Sequence, residues 1–350
     1  MTDRVNFGLI GCGEIAEQTS RAILESAHAR VVHCMDPLGD LAADLAGKHG
    51  ARSTTRLEDL LADREVQAVI LSVPHYLHAP LAVQAARAGK HVLTEKPMAC
   101  TLTQADEMIA AAAAARVKLG IFFPGRLQFM CQKAAEMVAA GAIGPVVAVK
   151  IHAMSNKPAR YWSGGWTGRV QTDWRPKLAT SGGGFLIMNQ IHDLDMLIGA
   201  LDLQPSRIYA EYGTLRTPVE VEDFLSFVMR TEQGTLVTLD GSSAAVGGES
   251  FGTRLYGKAG QLHLAEDRKL RVFLEAAWGG LPAGQWTEIA APADYPKNTR
   301  AMAADAFARW VLGQAEYHAP GPIGRRSLEI IRGAYLSMKR GGPVTFPVKE

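Results

Sequence analysis

Cysteine is scarce in this chain, and its few copies lie far apart. The 350 residues contain four of them, Cys12, Cys34, Cys100 and Cys131, and no two form a CxxC pair. This spacing argues against a zinc site and against a redox-active dithiol. Because isolated, reduced thiols are typical of the cytoplasm, we expect a cytoplasmic protein.

Long apolar runs, a signal-peptide pattern and an excess of charge are also missing. No run reaches the roughly 18 apolar residues that a membrane-spanning helix needs, and the polar start before Val5 is unlike a signal peptide. The net charge is only +2 with His neutral, which argues against nucleic acid or a membrane surface as the partner. The remaining class is a globular protein, 47% hydrophobic and 21% charged, whose length suits two domains.

Apolar runs and helix-like segments alternate through the first 125 residues. Such alternation is typical of a doubly wound parallel sheet, so we predict an α/β Rossmann domain over residues 1–125. Thr103 is the predicted cap of one helix, with Asp106 at the capping-box position. The predicted strands are 5–10, 31–35, 68–72, 91–94 and 119–123, and the predicted helices are 14–25, 38–49, 57–62, 79–88 and 103–115.

The pattern changes after residue 125. Strand-like runs follow one another through short turns that contain glycine, such as 232–234 and 257–260, which indicates hairpins and a largely antiparallel sheet. We therefore predict an α+β domain over residues 126–350. Its predicted strands are 146–154, 206–214, 224–231, 234–241, 252–256 and 261–264, and its predicted helices are 127–140, 183–201, 299–312 and 327–339.

A glycine-rich turn joins the first strand to the first helix. Gly11 permits the tight turn, Gly13 lets the backbone approach a pyrophosphate, and Ala16 lets the helix pack on the strand. Asp36 ends the second predicted strand, where a carboxylate can bind ribose hydroxyls and repels a 2′-phosphate. This context predicts NAD rather than NADP; the alternatives are a glycine turn without a ligand and, for Asp36, a helix cap.

A second turn, Glu95-Lys96-Pro97, ends the fourth predicted strand. Parallel strands end at one edge of their sheet, where ligands of such sheets bind, so Lys96 is expected beside the cofactor. Oxidation of an alcohol needs a base for the hydroxyl proton and a positive group that favours the alkoxide. A partly desolvated lysine, with a lowered pKa, suits this chemistry; the alternative is a surface lysine that pairs with Glu95.

Several segments resemble the glucose–fructose oxidoreductase/inositol dehydrogenase family, known as Gfo/Idh/MocA, over essentially the whole chain. The resemblance implies a Rossmann domain followed by a domain with a large open sheet, often used for oligomerisation. It also implies NAD(P)-dependent oxidation or reduction of sugars, cyclitols and related polyols. The matching segments are GCGEIA at 11–16, the run 73–97 that ends in Glu-Lys-Pro, 141–144, the glycines 182–184, the His192 and Asp195 pair, and 333–347.

The residues and the resemblance together give a set of expected cofactor contacts. Pro97 is expected to pack near the nicotinamide, and His75 to lie near the cofactor, whereas His78 is expected to be structural. The expected cofactor-binding residues are Gly11, Gly13, Glu14, Ile15, Ala16, Asp36, Pro74, His75, Glu95, Lys96 and Pro97.

The resemblance makes His192 the second candidate catalytic residue, beside Lys96. Imidazole is the natural acid–base group near neutral pH; the alternative is a core histidine. Many relatives carry an aspartate four residues earlier, where this chain has Met188, which cannot take a proton. We therefore predict a two-residue version, Lys96 and His192, with Asn189 as a polar support. Asp195 either orients His192 or forms a helix salt bridge.

The segment 155–177 is polar, broken by glycine and rich in aromatic residues. Long irregular segments are often functional, and aromatic rings stack on sugars while Arg and Asn bind hydroxyls; the alternative is packing on a neighbouring subunit. No cluster of His, Cys or carboxylate residues has metal-ligand spacing, so no metal is expected. The candidate substrate-binding residues are Lys96, Asn189, His192, Arg126, His152, Trp166, Trp174 and Arg175.

The expected function is NAD-dependent oxidation of a secondary hydroxyl of a sugar, glycoside or cyclitol. One alternative is a hydrolase or lyase that uses tightly bound NAD without net oxidation. Another is a non-catalytic NAD-binding regulator, which would need neither Lys96 nor His192. By analogy with the family, we expect a homodimer or homotetramer.

Overall fold

The computed structural model describes residues 4–349, which form two compact units. The first unit holds the chain up to Pro124 together with Pro158–Gly182 and Asn298–Leu328. The second unit holds the remaining three segments, Gly125–Lys157, Gly183–Lys297 and the chain from Glu329 on. The chain first passes from the first unit to the second after Pro124, one residue before our predicted boundary at 125. It then returns to the first unit twice. A single division into 1–125 and 126–350 does not describe these two returns.

The strands and helices are numbered in chain order. A 3-10 turn at Pro124–Leu127 and a π-helical turn at Leu186–Gln190 precede α6 and α9. The strands are β1 Val5–Ile10, β2 Ala29–Met35, β3 Arg52–Thr54, β4 Ala68–Leu71, β5 His91–Thr94, β6 Leu119–Ile121, β7 Val146–Met154, β8 Pro205–Gly213, β9 Phe224–Thr231, β10 Leu236–Ser242, β11 Gly252–Gly257, β12 Gly260–Leu264, β13 Leu270–Leu274, β14 Trp286–Ile289 and β15 Val344–Thr345. The helices are α1 Glu14–Ile23, α2 Gly39–His49, α3 Leu57–Ala62, α4 His75–Arg87, α5 Leu102–Ala115, α6 Phe129–Ala139, α7 Tyr161–Gly164, α8 Leu178–Ser181, α9 Ile191–Leu201, α10 Thr299–Val311 and α11 Gly321–Arg340.

The sheet of the first unit is parallel throughout, in the order β3-β2-β1-β4-β5-β6. Its central strands are buried on both faces, as Phe7, Ile70 and Leu93 show at 0% exposure. Strands of this kind carry continuous apolar runs because helices cover both faces. The strand order reverses between β1 and β4, and ligands of such sheets bind outside the carboxyl ends of the strands at that point.

Polar contacts of α10 explain why its segment returns to the first unit. Arg300 forms an ion pair with Glu95 at 2.8 Å and donates to the Thr19 hydroxyl at 2.6 Å. The helix α10 therefore packs on α1 and on the end of β5, although both are distant from α10 in the sequence. Contacts between residues so far apart in the chain cannot be predicted from local sequence patterns.

The start of α5 differs from our prediction. Thr101, rather than Thr103, caps the helix, because its hydroxyl accepts a hydrogen bond from the Gln104 amide at 3.2 Å. Gln104 in turn accepts from the Cys100 amide at 3.1 Å, which completes a capping arrangement of the expected type two residues earlier. Asp106 instead binds Arg325 at 2.5 Å, so the predicted cap at Thr103 was wrong.

The sheet of the second unit is mixed, in the order β14-β13-β12-β11-β7-β10-β9-β8-β15. Strands β7 and β10 run parallel, and the other neighbouring pairs run antiparallel. One row of side chains is buried, for example Val149 and Ile151. These features confirm the predicted fold class, a Rossmann domain plus an α+β domain with a large, mostly antiparallel sheet.

A second row of side chains, here called the outer row, alternates with the buried row. Its members face one another from strand to strand across the sheet. The outer row consists of Tyr209, Val228, Thr238, Lys150, Arg254, His263, Arg271 and Glu288. Separately, no helix within residues 4–349 combines the length and the apolar character needed to cross a bilayer.

Candidate active site

The turn after β1 has the geometry of a pyrophosphate cradle. Gly11 has φ +86°, and a Cβ there would lie 2.6 Å from the Ser72 carbonyl oxygen, so the position requires glycine. A Cβ on Gly13 would have Val170 as its nearest neighbour, at 3.8 Å, so the backbone there can be approached closely. Among residues 4–349, no side chain caps the amino end of α1, and its amides point where a phosphate binds in Rossmann domains.

Asp36 lies at the end of β2, beside this turn. One carboxylate oxygen accepts from the Cys12 amide at 2.8 Å, and the other accepts from the Leu38 amide at 2.9 Å. The two bonds fix the carboxylate next to the turn while each oxygen keeps further accepting capacity. This arrangement fits the ribose diol of a dinucleotide. The bond to Leu38 closes a turn just before α2, but within the described part of the chain no side chain caps that helix, so Asp36 is not its cap.

Glu14 binds a distant segment of the chain. Its carboxylate accepts from the backbone amides of Trp166 and Thr167 at 3.0 and 3.1 Å. Arg169 adds a hydrogen bond to the Cys12 carbonyl at 3.2 Å and an ion pair with Asp44 at 2.6 Å. Part of the segment 155–177, for which we predicted substrate or subunit contacts, therefore lies on the glycine turn.

The Glu95-Lys96-Pro97 turn is held on several sides. Glu95 is 5% exposed and pairs with Arg300, and the Pro97 carbonyl oxygen lies 2.7 Å from His78 Nδ1. Burial lowers the pKa of Lys96 to about 8, against the opposing effect of the Glu95 charge. A half-buried amine with this pKa can exchange a proton near neutral pH. His78 is structural, as expected, but it supports this turn rather than only its own helix.

His75 and two predicted substrate residues, Trp174 and Arg175, lie together in the first unit. The centroids of the His75 and Trp174 rings are 4.5 Å apart with the rings tilted, and the Arg175 guanidinium lies 4.7 Å from the centroid of the Trp174 ring. His75 Nδ1 lies 2.7 Å from the Ser181 carbonyl oxygen, so it carries the proton and leaves Nε2 as an acceptor. Burial, and then His78, lower the pKa of His75 well below its usual value. Trp166 is 50% exposed and packs on Tyr161.

His192 is the second residue of α9 in the second unit, and α9 directly follows the π-helical turn. Such turns are rare and frequently mark functional sites. Met188 is 3% exposed, as expected for a core side chain. Asn189 is half-buried, and its side-chain oxygen accepts a hydrogen bond from the ammonium of Lys157. Lys157 was not among the predicted site residues.

Asp195 forms a salt bridge, but with Arg126 in the 3-10 turn at Pro124–Leu127 rather than within its own helix. Its two oxygens bind Nε and Nη2 of Arg126, both at 2.8 Å. Asp195 is 1% exposed and Arg126 12% exposed. This bidentate pair fixes the Arg126 guanidinium, and the predicted role of Arg126 in substrate binding stays a prediction.

The glycines before the π-helical turn fit against their own chain. A Cβ on Gly183, where φ is +150°, would overlap the Tyr335 hydroxyl and lie 2.5 Å from a ring carbon. Glu222 joins this contact, because it accepts from the Gly184 amide at 2.6 Å and from the Tyr335 hydroxyl at 2.8 Å. Close packing within the second unit is therefore enough to require glycine here.

His152 lies on the side of the second sheet that carries the outer row. It is two residues from Lys150 on β7, while Val149 and Ile151 point to the buried side. Its ring packs on Phe251, with 4.8 Å between the centroids. The contact of His152 with substrate stays a prediction.

Comparison with known proteins defines the class. A model described as an oxidoreductase family with an NAD-binding Rossmann fold matches residues 5–123. A second model, the GFO/IDH/MocA C-terminal domain, matches residues 131–263. The chain belongs to the GFO/IDH/MocA family, and its first unit is an NAD-binding Rossmann domain.

Relatives with named activities act on sugars and cyclitols. The chain is similar to the 1,5-anhydro-D-fructose reductase of Ensifer adhaerens, with 34% identity over 58% of this chain and 59% of that protein. It is also similar to the inositol 2-dehydrogenase of Rhizobium meliloti (strain 1021), with 26% identity over 79% of both chains. The match to the reductase thus spans less than two thirds of its length. The structure of a levoglucosan dehydrogenase in complex with NADH and levoglucosan shares the fold, with a TM-score of 0.87 and 21% identity over 99% of this chain and 100% of that chain.

Proposed function

We propose that this protein is an NAD-dependent dehydrogenase that oxidises a secondary hydroxyl of a sugar, glycoside or cyclitol. The observation that carries the proposal is Lys96, a half-buried amine at the carboxyl end of β5 whose pKa is lowered to about 8. It stands at the sheet edge where the glycine turn after β1 lies. The named relatives support sugars and cyclitols as the class of substrate.

In this proposal Lys96 and His192 have different roles toward the substrate. Bound NAD supplies the hydride acceptor. The Lys96 ammonium donates a hydrogen bond to the reacting hydroxyl and favours the alkoxide as it forms, and His192 accepts the hydroxyl proton. The proposed further contacts of the bound molecules are Trp174, which packs on His75, Arg175, which lies over Trp174, and Asn189.

The test is absorbance at 340 nm with purified protein, NAD and a panel of monosaccharides, glycosides, uronic acids and cyclitols. A rise with one class of compound supports the dehydrogenase and delimits its substrate. Lys96→Ala should then lower kcat by about a hundredfold or more and leave the affinity for NAD within about twofold. Unchanged turnover in Lys96→Ala would refute the role of Lys96.

No rise in absorbance with any compound of the panel would refute dehydrogenase activity on these compounds. If NAD is then shown to be bound and a glycoside is nevertheless cleaved without net NADH, the redox-neutral hydrolase or lyase is the correct function. We further propose a cytoplasmic location, supported by four buried thiols, Cys12, Cys34, Cys100 and Cys131.

A further inference from the structure

Lys157 is a buried cation beside a residue of the proposed site. It is 8% exposed, and lysine is seldom buried to this degree unless its ammonium is engaged. The ammonium donates to the side-chain oxygen of Asn189 and lies 5.7 Å from the centroid of the Phe185 ring. Asn189 lies three positions before His192 in the sequence.

The backbone holds Lys157 in place. The chain beyond β7 continues to pair with the chain beyond β10, because the Ser155 amide donates to Ser242 at 2.8 Å and the Lys157 amide donates to Ser243 at 2.7 Å. Asn156 forms a bridge with Ala244 between these two bonds. The lysine stem therefore starts from a fixed point of the second sheet.

The chemistry of the two groups sets the orientation of the Asn189 amide. An ammonium can only donate hydrogen bonds, whereas a carboxamide has an accepting oxygen and a donating NH2. Lys157 therefore selects the rotamer in which the oxygen faces the ammonium, and the NH2 of Asn189 is turned to the other side. With an uncharged side chain at 157, both orientations of the amide would be accessible.

We propose that Lys157 is a positioning residue that fixes Asn189 as a hydrogen-bond donor toward the sugar. This inference rests on the proposed dehydrogenase function and adds a specificity-determining pair to it. The group of the substrate that meets Asn189 is then an acceptor oxygen, such as a hydroxyl, ring or carboxylate oxygen. Lys157 acts through Asn189 and does not itself touch the reacting atoms.

The test is the kinetics of Lys157→Met, Lys157→Arg, Asn189→Ala and the double variant Lys157→Met/Asn189→Ala, with the sugar that the 340 nm panel identifies. Lys157→Met should raise KM for the sugar by about fivefold, the effect of losing the hydrogen bond from the neutral Asn189 amide to the sugar, with kcat and the KM for NAD within about twofold. Lys157→Arg should recover most of this loss. The double variant should be no worse than Asn189→Ala alone, because Lys157 works through Asn189.

The matched control is Lys258→Met, since Lys258 is an exposed lysine in the turn between β11 and β12. It should leave both constants unchanged. An unchanged KM in Lys157→Met, or additive effects in the double variant, would overturn the inference while leaving the dehydrogenase intact. An active Lys157→Met that has lost thermal stability, with equal losses in kcat and in both KM values, would also overturn it. A wild-type protein that oxidises no sugar would overturn the dehydrogenase and this inference together.

Discussion

At the scale of single residues, the surroundings of Lys96 set its chemistry. An exposed lysine stays charged up to a pH of about 10, whereas burial lowers the pKa of Lys96 to about 8. In the proposed mechanism the charged form favours the alkoxide. The rate of oxidation, as kcat/KM, should therefore fall as pH rises through about 8, because the ammonium loses its charge there.

Lys96→Arg separates charge from the other properties of this residue. A guanidinium stays protonated at any pH used for assays, so the variant should keep measurable activity and lose the fall near pH 8. The measurement is kcat/KM for the sugar between pH 6 and pH 10 in both proteins. A fall near pH 8 that persists in Lys96→Arg would assign the ionisation to another group.

At the scale of secondary-structure elements, the entry to the π-helical turn depends on close packing. Gly183→Ala would push a Cβ into the Tyr335 ring, and overpacking of a buried contact costs about 1–3 kcal/mol. We expect a loss of this size in the free energy of unfolding, measured in urea. Gly47→Ala is the control, because Gly47 lies in α2 with nothing within 4 Å of a new Cβ. It should stabilise the protein by about 0.5–1 kcal/mol.

Asp193 on α9 should make stability depend on pH. Burial, and then the charge of Glu266, raise the pKa of Asp193 to about 7, above its value of about 3.9 in an unfolded chain. The folded state therefore binds this proton more tightly than the unfolded state does, and its contribution to stability is lost as pH rises from about 4 to about 7. Asp193→Asn, which cannot ionise, should be more stable than wild type by roughly 1–3 kcal/mol at pH 8 and equal to it at pH 4.

Urea unfolding at pH 4, 6 and 8 checks this prediction. The control is Asp267→Asn, since a hydrogen bond from Arg271 lowers the pKa of Asp267 and its replacement should bring no gain at pH 8. Equal stability of Asp193→Asn and wild type at pH 8 would show that the Asp193 carboxylate is not disfavoured in the fold.

Elements with strong local patterns were predicted almost to the residue, and those without them were not. The strands His91–Thr94 and Phe224–Thr231 match their predicted bounds, because each has a clear apolar or alternating run. The short strands β3, β13, β14 and β15 were not predicted. Each is defined by its hydrogen bonds to a neighbouring strand rather than by a local sequence pattern. The start of α11 at Gly321 was placed six residues late, although Pro322 is compatible with a first helical turn.

The same division holds for the candidate site. The glycine turn and the turn at Lys96 could be predicted, because each is a contiguous segment that follows a strand. Lys157 and Arg169 could not, since their partners Asn189 and Cys12 are distant in sequence and only tertiary structure joins them. The role of Asp195 was left open for the same reason, and its partner Arg126 decides it.

At the scale of the whole molecule, the second sheet presents a surface suited to self-association. Tyr209 and Val228 are neighbours in the outer row, and they are 42% and 48% exposed. Exposed apolar residues that form a patch on a sheet commonly mark an interface. We therefore expect the protein to be a homodimer or homotetramer that buries the outer row near β8 and β9.

Val228→Asp should shift this assembly toward monomer, because an interface that buries the side chain would have to desolvate an unpaired charge. The measurement is the molar mass by light scattering after gel filtration, over a hundredfold range of protein concentration. Val246→Asp is the matched control, since Val246 is 67% exposed and lies outside the outer row, and it should leave the mass unchanged. A Val228→Asp protein that keeps the wild-type mass at every concentration would place the interface elsewhere. A wild-type protein that is monomeric throughout would show that the outer row is not a self-association surface.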